Sequence, residues 1–132
     1  MQQTSTHITQ IGRIIVPVSD QDNALEFYVD KLGFEKRADI PFGEGDRWLE
    51  VAPAGGATAL ALMPPRPGAT LGGDNTCVAF ETTDIDAEYE TLRERGVDVD
   101  ELMGGDGPVP RMFFFRDPDG NNLLAVEQQE RD

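Results

Sequence analysis

The chain has 132 residues, 39% hydrophobic and 27% charged, which is enough to bury a core and suits one compact domain or two very small fused ones. Twenty-five acidic residues against eleven basic give a net charge of −14; residues 1–66 carry −3 of it and residues 67–132 carry −11. Such a surface opposes phosphate, which sets nucleic acid and acidic membranes aside as partners and makes any electrostatically steered ligand neutral or cationic, although solubility is the plainer role of these acids.

Ile11–Val18 is a β-branched run and reads as a strand. Ser19 is the expected N-cap of a helix, with Asp22 three residues on. Ala24, Phe27, Tyr28 and Leu32 then recur at helical spacing until Gly33 stops the helix. Three extended stretches follow, residues 34–40, 47–51 and 58–62, separated by turns at Gly43-Glu44-Gly45-Asp46 and Pro53-Ala54-Gly55-Gly56. A Pro/Gly-rich connector runs from Met63 to Asp74.

The same order then repeats. Residues 76–81 read as a strand and Asp84 as an N-cap. Ile85, Tyr89 and Leu92 form an apolar helix face, closed by Gly96. Residues 97–102, 111–115 and 122–127 are extended, and Asp117-Pro118-Asp119-Gly120 is a turn in which Pro presets φ and Gly supplies φ > 0. The halves overlay at an offset of 64, which sets Arg13 on Cys77, Asp20 on Asp84, Trp48 on Met112 and Leu60 on Leu124. Only the helix stops depart from it, Gly33 against Gly96.

The expected fold is α+β, two tandem βαβββ units: residues 9–64, a connector at 65–75, and residues 76–128. Each unit is too small to bury both faces of its sheet, so the face away from the helix must meet a second unit, from the same chain or another. A lone cysteine, Cys77, rules out an internal disulfide, and a lone histidine, His7, rules out a His-pair zinc site within one chain. There is no 18-residue apolar run, and the N-terminal MQQTSTHITQ lacks the pattern of a signal peptide, so the expected location is the cytoplasm.

The tandem repeat, with Val16-Pro17-Val18-Ser19-Asp20, Ala24-Leu25-Glu26-Phe27-Tyr28, Leu32-Gly33-Phe34, Val78-Ala79-Phe80, Asp84-Ile85-Asp86 and Phe115 to Asn121, resembles the vicinal oxygen chelate superfamily. That superfamily includes glyoxalase I, extradiol dioxygenases, fosfomycin-resistance enzymes and bleomycin-resistance binding proteins. The resemblance spans residues 9 to 128 and implies a curved mixed sheet, the glyoxalase/bleomycin-resistance fold. It implies no single activity.

In metal-dependent members the ligands come from the first and last strand of each unit. The first-strand ligand lies seven residues before the aspartate after that strand, and the last-strand ligand four residues after the glycine of the Asp-Pro-Asp-Gly turn. Carried onto this chain, the positions are Arg13, Cys77 and Leu124, with Leu60 as the repeat counterpart. Arginine has no free lone pair at working pH, leucine has no donor, and one thiol cannot hold zinc or iron. The resemblance therefore implies the cup, while these residues imply no metal and no cofactor.

Strand alternation supplies the expected cup lining: Arg13, Ile15 and Pro17; Cys77, Ala79 and Glu81; Leu60, Leu62, Leu124 and Val126. The other strands offer Trp48 and Glu50 or Arg47 and Leu49, and Met112 and Phe114 or Arg111 and Phe113. Arg13, Trp48, Glu50, Leu60, Cys77, Met112, Phe114 and Leu124 are the candidate ligand-binding residues, and no catalytic residue is assigned. Trp48 facing Met112 and Phe114 suits a flat or apolar ligand, while the same stripe serves equally as core. Arg13 has three readings: an anchor for a ligand oxygen, an ion pair with Glu81 or Glu50, or a solvated rim residue.

The preferred expectation is a metal-free small-molecule binding protein resembling the bleomycin-resistance proteins, a homodimer with shared clefts whose ligand is cationic or aromatic. The alternative is a lyase, isomerase or dioxygenase relative that uses the same cavity. The sequence leaves open the ligand's identity, any catalysis, and whether one chain or two complete the cup.

Overall fold

The structure is a computed structural model that describes residues 6–128. Strands β1 (Arg13–Pro17), β2 (Glu35–Pro41), β3 (Arg47–Ala52) and β4 (Ala59–Met63) form one sheet in the order β1-β4-β3-β2. Strands β5 (Gly73–Thr82), β6 (Asp98–Val99), β7 (Met112–Arg116) and β8 (Asn121–Glu127) form a second, in the order β5-β8-β7-β6. In each, the first strand lies parallel to the last and the other pairs run antiparallel. This is the expected α+β fold of two βαβββ units in mixed sheets. β5 opens at Gly73, inside the stretch expected as connector, and β6 holds only two of the six residues expected as extended. Among the described residues, no helix is long and apolar enough to cross a membrane.

Helix α1 (Gln21–Glu26) follows β1, and α2 (Ile85–Glu94) follows β5. Asp84 caps α2 as expected, its carboxylate accepting from the Ala87 N–H at 3.0 Å. The cap of α1 is Asp20 rather than Ser19: Asp20 accepts from the Asn23 N–H at 3.0 Å, while the Ser19 N–H is held by the Asp119 carboxylate of the other unit. Gly33 and Gly96 both stop their helices at φ +78°.

The departure of the helix stops from the 64-residue offset has a structural cause. α1 runs on into a π-helical turn, Phe27–Lys31, in which the Leu32 N–H reaches back five residues to the Phe27 carbonyl. A π turn holds more residues than an α turn, so it absorbs the one residue by which the first unit's helix exceeds the second's.

The helix-facing sides of both sheets merge into one core. Val16, Val18, Leu49, Val51, Leu60 and Leu62 of the first unit join Val78, Phe113, Phe115 and Leu123 of the second. The helix ends meet reciprocally: Lys31 donates to the Arg95 carbonyl at 2.5 Å and Arg95 to the Lys31 carbonyl at 2.8 Å. The two residues are 64 apart, so the contact carries the repeat's pseudo-twofold relation. The same relation ties each helix start to its sheet, through Arg47 with Asp22 and Arg111 with Asp86.

Candidate functional site

The register of the strands decides which side chains share the face turned away from the helices. In the first sheet, Arg13 pairs with Ala59, Ile15 with Ala61, Ala61 with Glu50, Glu50 with Ala38, and Trp48 with Ile40. These residues share that face, the one expected to line the cup. In the second sheet, Ala79 pairs with Leu124, Leu124 with Phe114, and Met112 with Val126. Cys77, two residues before Ala79 on β5, falls on the same side. The open alternatives on β3 and β7 thus resolve to Trp48 with Glu50 and Met112 with Phe114.

Leu60 and Leu62 are corrections. They pair with Ile14 and Val16 and are almost completely buried on the helix side, so Leu60 does not line the cup. The cause is loop length. Ala61 stands eleven residues after its partner Glu50, whereas Leu124 stands ten after Phe114. The turn between β3 and β4 is one residue longer, and a single residue flips a strand's faces. The structural counterpart of Leu124 is Ala61. Leu60 lies instead in a groove of about 470 Å³ between the units, beside Ile14, Val78 and Phe80.

Arg13, Trp48 and Glu50 come together. Glu50 Oε2 accepts from Arg13 Nε at 2.6 Å and from the Trp48 indole N–H at 2.6 Å. The guanidinium carbon sits 5.8 Å from the Trp48 ring centroid, within cation–π range. Glu50 is buried, yet the Arg13 side chain is 50% exposed. Arg13 therefore combines two of its three readings, an ion pair with Glu50 and an open edge. Phe42 stacks edge-on to Trp48 with centroids 5.7 Å apart, and Ile15, Ile40 and Phe42 are all half-exposed or more. Ile40 and Phe42 escaped the sequence reading. Alternation along β2 was the available signal for Ile40, whereas Phe42 read as part of a loop.

The second cup face is built differently. Met112, Phe114 and Leu124 are half-buried, and Cys77, Ala79 and Glu81 are exposed. His7 is exposed before β1 and joins neither face. Glu127 points to the helix side, where it accepts from Arg111 at 3.2 Å.

The four positions at which the fold's metal-dependent members place ligands are therefore Arg13, Ala61, Cys77 and Leu124. They do not fit a divalent ion: the arginine is already bonded to Glu50, alanine and leucine have no donor, and a single thiol remains. Among the described residues, no group of three or more His, Cys, Asp or Glu is placed to hold a metal ion.

Known proteins share this architecture. The crystal structure of TnmS3, an antibiotic binding protein from Streptomyces sp. CB03234, is 38% identical, covers 95% of this chain and 100% of its own, and superposes with a TM-score of 0.82. A glyoxalase/bleomycin resistance protein/dioxygenase superfamily member from Sphaerobacter thermophilus DSM 20745 is 36% identical, covers 93% of this chain and 100% of its own, and has a TM-score of 0.82. The uncharacterized protein YetH of Bacillus subtilis (strain 168) is 37% identical over 122 residues, 91% of this chain and 99% of that protein. The profile of the Glyoxalase/Bleomycin resistance protein/Dioxygenase superfamily matches residues 10–124, and the chain belongs to that superfamily.

Proposed function

We propose that the protein binds a small molecule on its cup faces without a metal, as a sequestering protein of the bleomycin-resistance kind, and that two copies complete the cleft. The observation that carries this reading is that the four ligand positions hold Arg13, Ala61, Cys77 and Leu124, a single thiol donor among them, beside an aromatic corner made by Trp48 and Phe42. The likeness to TnmS3, an antibiotic binding protein, supports the ligand class at its coarsest. Exposed Ile15, Ile40 and Phe42 on one face support a second copy as its cover, because a single chain leaves this apolar surface in water.

The test is metal analysis of protein purified without chelator, joined to thermal-shift measurements against cationic, neutral and anionic aromatic compounds. The expected result is no stoichiometric metal and a ligand-dependent rise in melting temperature. One equivalent of tightly held zinc, iron, nickel or manganese overturns the reading.

A further inference from the structure

Glu50 is the buried carboxylate of the first cup face, and its charge is already answered. Arg13 Nε and the Trp48 indole both donate to its Oε2 at 2.6 Å. The acidity of the whole chain therefore does not make this point attractive to a cation. Arg13 stands 5.8 Å from the Trp48 ring centroid, where a ligand cation would otherwise sit. Among the described residues, the guanidinium has one hydrogen-bond partner, Glu50 through Nε, and the side chain is half exposed. Its Nη1 and Nη2 groups keep a fork of donors that Glu50 holds in place from behind.

We propose that this anchored arginine makes the site selective for planar aromatic ligands that carry an oxygen acceptor, a carbonyl or a carboxylate, and selective against organic cations. The proposal rests on the small-molecule-binding reading above and names its ligand chemistry. The ring packs into the corner between Trp48 and Phe42, whose planes stand at 80° to each other, and the oxygen accepts from the Arg13 Nη edge. An ammonium in the same pose meets the guanidinium charge and finds Glu50 already paired.

Isothermal titration calorimetry with acetylnaphthalene, naphthoate and naphthylmethylammonium separates these chemistries on one ring system. Physiological salt screens the long-range field of the chain to roughly 8 Å. The wild-type protein is expected to bind the two oxygen-bearing ligands at least about tenfold tighter than the ammonium, the scale of a charge-assisted hydrogen bond. Arg13→Ala is expected to weaken them by about tenfold or more and to strengthen the ammonium, reversing the order, because Glu50 then keeps only the neutral Trp48 indole as donor and has no counter-charge. Arg13→Lys keeps the charge without the fork, so it is expected to lose affinity for naphthoate while still refusing the ammonium, and it serves if the alanine variant does not fold. A wild-type preference for the ammonium, or an order that neither variant changes, overturns the selectivity while leaving small-molecule binding intact. Failure of all three to bind at millimolar concentration overturns both.

Discussion

Tyr28 of the first unit donates its hydroxyl to the carboxylate of Asp117 in the second at 2.9 Å, with both side chains buried. Asp117 also accepts from the Asn121 side chain at 2.9 Å and from the Asp119 and Asn121 backbone N–H groups at 3.0 Å. Asn121 in turn donates to the Pro17 carbonyl at the end of β1. The Asp-Pro-Asp-Gly turn thus does more than reverse the chain. It plugs the second unit onto the first.

Burial raises the Tyr28 hydroxyl well above its ordinary value of 10.0, and the Asp117 charge and hydrogen bond raise it further. The protonated phenol is favoured in the folded state, so its contribution is complete below about pH 10 and is lost as pH rises through the folded value. Tyr28→Phe is expected to cost roughly 1.5–3 kcal/mol in urea unfolding at pH 8, the scale for removing a hydrogen bond to a buried charged group. The gap between the two proteins should narrow above pH 10. A gap that stays constant to pH 11 removes Tyr28 from the alkaline transition.

The faces of β4 and β8 give a second test. Leu60 is buried against the helix side, whereas Leu124 is half-buried on the cup face. Leu60→Ala is expected to destabilise by roughly 2–4 kcal/mol, and Leu124→Ala by about 1 kcal/mol or less, in urea unfolding with unchanged slope. Equal costs would show that the two leucines occupy equivalent faces, as the 64-residue offset alone suggests.

That pair also marks how far the sequence could be read. The repeat, the βαβββ succession of elements in each unit and the helix stops were legible because periodicity and glycine punctuation are local signals. The face of β4 was not, because one extra residue in the turn at residues 53–58 leaves no mark on hydrophobic alternation when residues 59 to 62 are Ala, Leu, Ala and Leu. At the site, alternation brought Trp48 and Glu50 to one face and named Glu50 as a possible partner of Arg13. The shared Oε2 that draws Arg13 and Trp48 onto one atom depends on rotamers, and no spacing rule predicts it. The lock between Tyr28 and Asp117 was hidden for a different reason: Tyr28 read as one of an apolar helical series, and its partner is 89 residues away.

The loop between β6 and β7 yields a third prediction. Gly104 adopts φ +83°, and a Cβ there would run into the Pro110 carbonyl oxygen. Nearby, Met103 bridges to Met112 through paired backbone hydrogen bonds of 2.9 Å, which fastens this loop to the start of β7. Gly104→Ala is expected to cost about 1–3 kcal/mol through strain and loss of that bridge. Hydrogen exchange at the Met103 and Met112 amides reads it: both should exchange faster, while the amides of α2 should not. Unchanged protection at both would show that the loop adapts without releasing β7.

The open first cup face gives the last prediction, which concerns assembly. Ile40 and Phe42 are 57% and 55% exposed on the strand and turn beside Trp48, and Ile15 is 50% exposed. None contributes to the core that joins the two units, so charging this rim should leave the single chain folded. If a second copy covers the face, wild-type protein should sediment as a dimer, and Ile40→Asp combined with Phe42→Asp should sediment as a monomer with an unchanged far-ultraviolet circular dichroism spectrum. Aromatic ligands should then bind more weakly, since the monomer offers half a cleft and a damaged platform. Ile15→Asp alone separates these effects, because Ile15 stands opposite Ala61 on β1, a strand that does not border the Trp48 strand: weaker dimerisation with weaker binding in proportion ties the cleft to the assembly. A wild-type monomer that still binds aromatic ligands would show instead that each chain completes its own site.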